Sequence, residues 1–209
     1  MNYRTTIKPL LDFLAALIAI IILSPILILV TALLFFTNNG KPFFYQKRPG
    51  KNEKIFTIIK FKSMNDKTDA HGALLPDSDR LTPVGKFVRQ ASIDELLQLF
   101  NVLKGDMSLI GPRPLLIQYL PFYTRIERKR HSVKPGLTGL AQVNGRNFLD
   151  WDPRLKLDVE YVENMSFKND FKILLKTIYK VIASKDISNN PFITQPALNE
   201  LRSKTSAKA

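Results

Sequence analysis

Asp94 and Glu95 stand side by side in Ser92-Ile-Asp-Glu-Leu-Leu-Gln-Leu99, with Lys60 and Arg89 before them and Arg113 after them. Adjacent carboxylates among cations suit phosphoryl chemistry. A carboxylate is a covalent nucleophile toward phosphorus, so one of the pair can attack while the other holds Mg2+. That hard cation is often bound by one or two carboxylates together with substrate phosphates. Arginine suits phosphate because its planar fork donates two hydrogen bonds. The same spacing also has a purely structural reading. Ser-x-x-Glu ahead of a periodic apolar run is a capping box, in which Ser92 and Glu95 satisfy the first backbone donors and Asp94 complements the helix dipole. Both readings put the pair at a helix start, where free backbone donors attract anions.

The elements that must position these residues can be read from periodicity and punctuation. Ile93, Leu96, Leu97, Phe100 and Leu103 recur at helical spacing, which predicts a helix over Ser92 to Leu103 with Gly105 as its C-terminal cap. Lys54 to Lys62 is rich in β-branched and aromatic residues and predicts a short strand carrying Lys60. Asn65 to Asp79 reads as a loop, and Thr82-Pro83 opens a short helix over Val84 to Gln90. Gly111-Pro-Arg-Pro114 forces an extended break around Arg113. Leu115 to Arg130 is amphipathic, apolar first and basic last. It is either a core-facing helix with a solvated end or a helix lying on anionic lipid. The glycine-rich stretch Lys134 to Arg146 predicts a loop with one short strand, and Asp152 to Glu163 and Phe167 to Ala183 predict helices. After Ser184 the chain is polar and is expected to fray.

Composition narrows the partners. The chain has 209 residues, 45% of them hydrophobic, and carries a net charge of +13. That balance implies an anionic partner: nucleic acid, anionic lipid or a phosphorylated substrate. There is no cysteine and there are only two histidines, His71 and His131, which excludes disulfides and thiolate metal sites and leaves no basis for structural zinc. Leu10 to Phe36 is almost wholly apolar, with Asp12 its only charge, and is long enough to span a bilayer. It lacks the short core and cleavage site of a signal peptide. Ser24-Pro25 falls in its middle, where a proline removes a helical hydrogen bond. Arg4 and Lys8 precede it, and Lys41, Lys47, Arg48, Lys51 and Lys54 follow it. Positive flanks favour the cytoplasmic side, and here both flanks are positive. A helix-break-helix hairpin that re-enters the same face satisfies both, and a kinked single span is the alternative.

Four motifs occur in order: Lys60-Phe-Lys-Ser-Met64, the Ser92 to Leu99 segment, Asn101-Val-Leu-Lys-Gly-Asp-Met-Ser-Leu-Ile-Gly-Pro-Arg-Pro114, and Lys134-Pro-Gly-Leu-Thr-Gly-Leu-Ala-Gln-Val-Asn-Gly-Arg146. Together they resemble the monotopic phosphoglycosyl transferase family, the bacterial sugar transferases that initiate surface glycan assembly. The likeness runs to about Ala183 and is to the small members that consist of the catalytic core.

The resemblance implies an α+β, mainly helical fold: a re-entrant membrane hairpin over residues 1–40 broken at Ser24-Pro25, a catalytic domain over 41–184 with interfacial amphipathic helices and a small β element, and a polar tail over 185–209. It implies that Asp94 attacks the β-phosphorus of a UDP-sugar and releases UMP. Glu95 then helps hold Mg2+, and undecaprenyl phosphate takes the phosphosugar from Asp94. Lys60, Arg89, Arg113 and Arg146 match basic positions of the family and would hold phosphate or nucleotide. The implied location is the bacterial inner membrane, with the site on the cytoplasmic face against anionic lipids. The chain departs from the family pattern at Leu97, where proline is usual, and at Lys62, often arginine. Neither the sugar nor an oligomeric state is specified. Two rival classes use the same features: a membrane-anchored nucleic-acid binder, against which the basic residues are dispersed and match no recognised motif, and a scaffold in which Asp94-Glu95 only caps a helix.

Overall fold

The computed structural model describes residues 2–145, 149–183 and 196–206. A short π-helical turn at Tyr3–Ile7 leads into α1, Lys8–Thr37, a helix long and apolar enough to cross a membrane. The chain then forms a hairpin of β1, Phe43–Pro49, and β2, Ile55–Phe61, paired antiparallel with Tyr45 opposite Ile59. After an irregular stretch come α2, Asp77–Arg80, and α3, Pro83–Gln90. Next are a 3-10 turn at Ile93–Glu95 and α4, Gln98–Leu103. β3, Ser108–Ile110, and β4, Gly136–Thr138, form a parallel pair. α5, Leu140–Val143, α6, Trp151–Glu163, α7, Phe167–Ile182, and α8, Leu198–Ser206, follow. The fold is thus mainly helical with two small sheets.

α1 is not a stalk standing away from the rest. Its Ala16 packs with Ile58, Leu99, Val102 and Met107, and its Leu27, Val30 and Leu34 pack with Phe61, Val88 and Leu97. Both halves therefore lie on one body, while Leu10, Ile18, Ile22, Ile28, Leu29 and Phe36 face outward. Asp12 is buried but not alone. Lys8 pairs with it at 3.5 Å and with Asp170 at 2.7 Å, and the Ser108 hydroxyl donates to Asp12 at 2.6 Å. Buried charges persist only when paired in this way, so this network fixes the N-terminal end of α1 to β3 and α7. The helix continues through Ser24-Pro25 rather than breaking into two arms. Pro25 cannot donate to the Ile21 carbonyl, and the Ser24 hydroxyl donates to it instead at 2.8 Å.

Several expectations hold in detail. α3 starts as predicted, with the Thr82 hydroxyl accepting from the Gly85 amide at 3.0 Å. α4 ends at a left-handed Gly105, whose amide and that of Asp106 satisfy the Val102 and Asn101 carbonyls. The Asn101 side chain reaches β2, donating to the Thr57 carbonyl at 2.8 Å and accepting from the Ile59 amide at 3.2 Å. The helix that carries the core and the strand that carries Lys60 are thereby locked together.

Three expectations are corrected. Ser92 to Leu103 is not one α-helix: its first turn is 3-10 and only Gln98 onward is α. Leu115 to Arg130 is not a helix on lipid. It forms two 3-10 segments, Ile117–Phe122 and Glu127–Ser132, with Leu115, Tyr119, Tyr123 and Arg130 buried. The amphipathic helices with outward apolar faces are instead α3, through Phe87, and above all α7, through Phe167, Phe171, Leu175 and Ile178. Finally, the part of the polar C-terminus that lies within the described residues, 196–206, is folded against the body, while the rest of the stretch expected to fray lies outside the described residues. α8 seats Leu198 against Tyr119, Trp151 and Leu155, and Arg202 pairs with Glu127 at 2.7 Å and Asp152 at 2.9 Å.

Candidate active site

Four separate elements deliver the site. Lys60 lies on β2 and Arg89 in the last turn of α3. Ser92 adopts a left-handed backbone, φ 57°, which ends α3 and starts the tight turn that holds both carboxylates. Arg113 follows β3 in the Gly-Pro-Arg-Pro segment. That segment fits because Gly136 has no side chain: a Cβ there would lie 2.1 Å from the Gly111 amide nitrogen. Arg130, itself paired with Asp158 at 2.8 Å inside the protein, donates to the Arg113 carbonyl at 2.5 Å. The backbone under Arg113 is therefore held from both sides.

The capping box is not formed. Ser92 makes no side-chain cap bond, and the Glu95 side chain does not turn back to it. Glu95 instead accepts from Lys60 Nζ at 2.6 Å and from both Arg113 Nη atoms, at 2.9 Å and 2.5 Å. A bidentate arginine and a lysine on one part-buried carboxylate hold it well below the usual range, although burial alone would raise it. Asp94, one residue away, has the opposite environment. Among the described residues its carboxylate accepts no hydrogen bond. Burial, and then the charge of Glu95, push it up to about 6, partly offset by Lys60, Arg113 and Arg89. Two neighbouring carboxylates are thus split into a fixed anion and an uncommitted one, a separation that assigns different roles to the members of a pair.

The structure brings Asp94, Glu95, Lys60 and Arg113 into direct or near contact and puts Arg89 within electrostatic reach of Asp94. Arg146 lies outside the described residues. Two arginines that the sequence did not single out also approach the site. Arg48 on β1 reads in sequence as one more membrane-flanking charge beside Lys47 and Lys51. In the fold it is half-buried and lies near Arg113, Glu95 and Tyr119. Strand alternation was the available signal, since Gln46 and Arg48 point inward while Tyr45 and Lys47 point out. Arg154 on α6 stacks over Trp151, 4.6 Å from the ring centroid, and also lies near Arg113.

A metal held by protein alone has no home here: among the described residues no three acidic, histidine or cysteine side chains converge. The dyad does fit a hard cation that shares its ligands with a bound diphosphate. A carboxylate offers about four lone-pair directions. Lys60 and Arg113 occupy three at Glu95, and the oxygens of Asp94 remain available.

Comparison with known proteins follows the same residues. The profile described as bacterial sugar transferase matches residues 3–184. An uncharacterized sugar transferase, EpsL of Bacillus subtilis, is 48% identical over 188 residues, covering 90% of this chain and 93% of EpsL. The UDP-N-acetylgalactosamine-undecaprenyl-phosphate N-acetylgalactosaminephosphotransferase of Aeromonas hydrophila is 43% identical, covering 84% of this chain and 44% of that protein. The undecaprenyl-phosphate galactose phosphotransferase of Salmonella typhimurium is 39% identical, covering 86% and 41%. The chain therefore spans nearly all of EpsL but less than half of the two phosphotransferases. α8 lies beyond the matched residues.

Proposed function

The chain belongs to the bacterial sugar transferase family, and from that premise we propose that it transfers a sugar phosphate from a UDP-sugar to undecaprenyl phosphate, the first membrane step of a surface glycan. The observation that carries this reading is the split dyad. Among the described residues Asp94 accepts no hydrogen bond, and burial makes it costly to charge, which leaves it able to form a bond; Glu95 is ionised and immobilised by Lys60 and Arg113.

In the first half-reaction an Asp94 oxygen attacks the β-phosphorus of the UDP-sugar. A phosphorus–oxygen bond to Asp94 forms, the bond to the α-phosphate oxygen breaks, and UMP leaves. In the second, an oxygen of undecaprenyl phosphate attacks the same phosphorus and the Asp94 carboxylate departs, restored. Arg113 and Lys60 orient Glu95 and face the developing charge, and Arg89 offsets the charge on Asp94. A magnesium ion held by Glu95 with the diphosphate would neutralise charge on the phosphoryl oxygens.

Geometry also supports a monotopic seat on the cytoplasmic face of the membrane. Both halves of α1 rest on one body and both of its flanks are positive, which favours placing both ends on the same side. In this reading α1 turns back within the membrane at Pro25, where Ser24 covers the orphaned Ile21 carbonyl. The outward faces of α1 and α7 are apolar, and α7 interleaves lysines 168, 172, 176 and 180 for lipid headgroups.

The test is turnover by the purified protein in detergent with UDP-sugars, Mg2+ and undecaprenyl phosphate, identifying the nucleotide released. UMP that depends on Asp94 is expected. UDP would mean transfer of the sugar without its phosphate and would overturn the reading, as would full activity in Asp94→Asn.

A further inference from the structure

We propose that α8 is a clasp on the active site and that Arg202 is its positioning residue, holding the backbone of Arg113 in place through the 3-10 segment Glu127–Ser132 and α6. The inference rests on the transfer reaction above. It adds to the site an element beyond residues 3–184, which the family profile matches.

A chain of short contacts links α8 to the dyad. Leu198, only 1% exposed, seats α8 against Tyr119, Trp151 and Leu155, and the Trp151 indole donates to the Pro196 carbonyl at 2.9 Å. That seat presents the Arg202 guanidinium to three segments at once. It donates to the Phe122 carbonyl at 2.6 Å, to both oxygens of Glu127 at 2.7 Å and to Asp152 at 2.9 Å. Phe122 ends one 3-10 segment, Glu127 starts the next and Asp152 lies in the first turn of α6. The Glu127 arm matters most, because that side chain is 14% exposed whereas Asp152 is 85% exposed and screened by water.

Three residues beyond Glu127, Arg130 clips the same segment to α6 again, through Asp158 at 2.8 Å. The same Arg130 nitrogen donates to the Arg113 carbonyl at 2.5 Å, and the Arg113 side chain grips Glu95 at 2.5 Å and 2.9 Å. Arg113 is itself 44% exposed, so its place depends on the backbone beneath it more than on packing around it. Any slip of residues 127–132 along α6 is therefore carried to Arg113. Paired guanidinium bonds tolerate little displacement, and about 1 Å of misplacement far from the chemistry can cost on the order of a hundredfold in rate. A looser Arg113 also gives both carboxylates less cationic charge, which raises them.

The test uses the full chain in detergent, with Arg202→Gln, Arg202→Lys and Lys129→Gln. Lys129→Gln removes another bridge between the same two elements, to Glu163 at 2.7 Å, whose members are both about half exposed. Hydrogen exchange read by mass spectrometry needs no turnover. Arg202→Gln should speed exchange at least about tenfold in residues 196–206 and also in 109–117, around Arg113, with β2 unchanged. Arg202→Lys keeps the charge but loses the fork. It should fall between, and it stands in if Arg202→Gln does not fold. Lys129→Gln should match wild type throughout.

In turnover, kcat/KM for the UDP-sugar should fall about tenfold in Arg202→Gln, and its acid limb should move to higher pH. Arg202→Lys should restore part of both, and Lys129→Gln should stay within about twofold of wild type. Faster exchange confined to 196–206, whatever the rate, would overturn the clasp and count nothing against the transfer reaction. So would a uniform rise across all segments or an equal rate loss in Lys129→Gln, either of which makes Arg202 one stabilising contact among many. Exchange that couples 196–206 to 109–117 in a protein that transfers nothing would keep the clasp and overturn the reaction.

Discussion

A single residue's environment separates Asp94 from Glu95, and it has consequences for both stability and rate. The Asp94 carboxyl is raised from an ordinary 3.8 to about 6 in the fold. A raised acid is easier to charge in the unfolded chain. The stability it permits is therefore whole below the unfolded value and is lost as pH rises through about 6. Asparagine never ionises, so Asp94→Asn should unfold later than wild type at pH 8, by about 1 kcal/mol once solvent screening is allowed for, with no gain at pH 4. Thermal melts at the two pH values check this. The same variant should lose at least about a thousandfold in transfer, because the attacking oxygen is gone. Lower stability together with retained transfer would return Asp94 to a structural role. The rate should carry the same signature. Only the ionised carboxylate attacks, so kcat/KM for the donor should fall as pH drops through an apparent value near 6. A profile flat from pH 8 to pH 5 would contradict an Asp94 nucleophile.

At the scale of elements, local signals were legible and distant pairings were not. Thr82-Pro83 announced α3, and its cap is present. Thr82→Ala should cost about 1 kcal/mol in a urea titration with the slope unchanged. The β-branched and aromatic content of Lys54 to Lys62 gave β2 with Lys60 on it. The apolar spacing from Ile93 did not give the packing face of α4, which buries Leu99 and Val102 and leaves Phe100 exposed. What failed depended on partners far along the chain. Periodicity suggested a helix from Leu115 to Arg130 with a solvated basic end. Pro121 cannot donate within a helix, and Arg130 is drawn inside by Asp158, 28 residues on. Ser-x-x-Glu looked like a capping box because nothing local revealed that Lys60 and Arg113 would claim Glu95. Arg48 was hidden among the flanking charges for the same reason. α8 carries few apolar residues, and its place comes from Leu198 and Arg202 meeting groups some 40 to 80 positions earlier. Leu198→Ala should therefore destabilise the whole protein by about 2–5 kcal/mol, lowering the urea midpoint. A midpoint equal to wild type would mean that α8 is not seated.

At the scale of the molecule, the outward faces of α1 and α7 are apolar and the dyad is charged, and the proposed transfer reaction requires the two to be in register. The outward rows of α1 and α7 expose large hydrophobic side chains that a soluble protein would cover. α1 alone supplies enough apolar length for anchorage. α7 has another task, since it packs on β3 and β4, the pair that leads into Arg113. Seating its Phe171 and Leu175 at the headgroups would set the height of the dyad relative to a lipid phosphate, and each side chain withdrawn from water contributes about 1.5–3 kcal/mol. Phe171→Glu should accordingly leave the protein membrane-bound and leave the first half-reaction intact, with UMP released in a single turnover at the wild-type rate. It should lower kcat/KM for undecaprenyl phosphate presented in vesicles by at least about tenfold, with much of the loss recovered when the acceptor is supplied in detergent. Equal losses in vesicles and in detergent would place Phe171 in the folding of the site rather than in its height above the bilayer. No loss in either would mean that α7 does not touch the membrane.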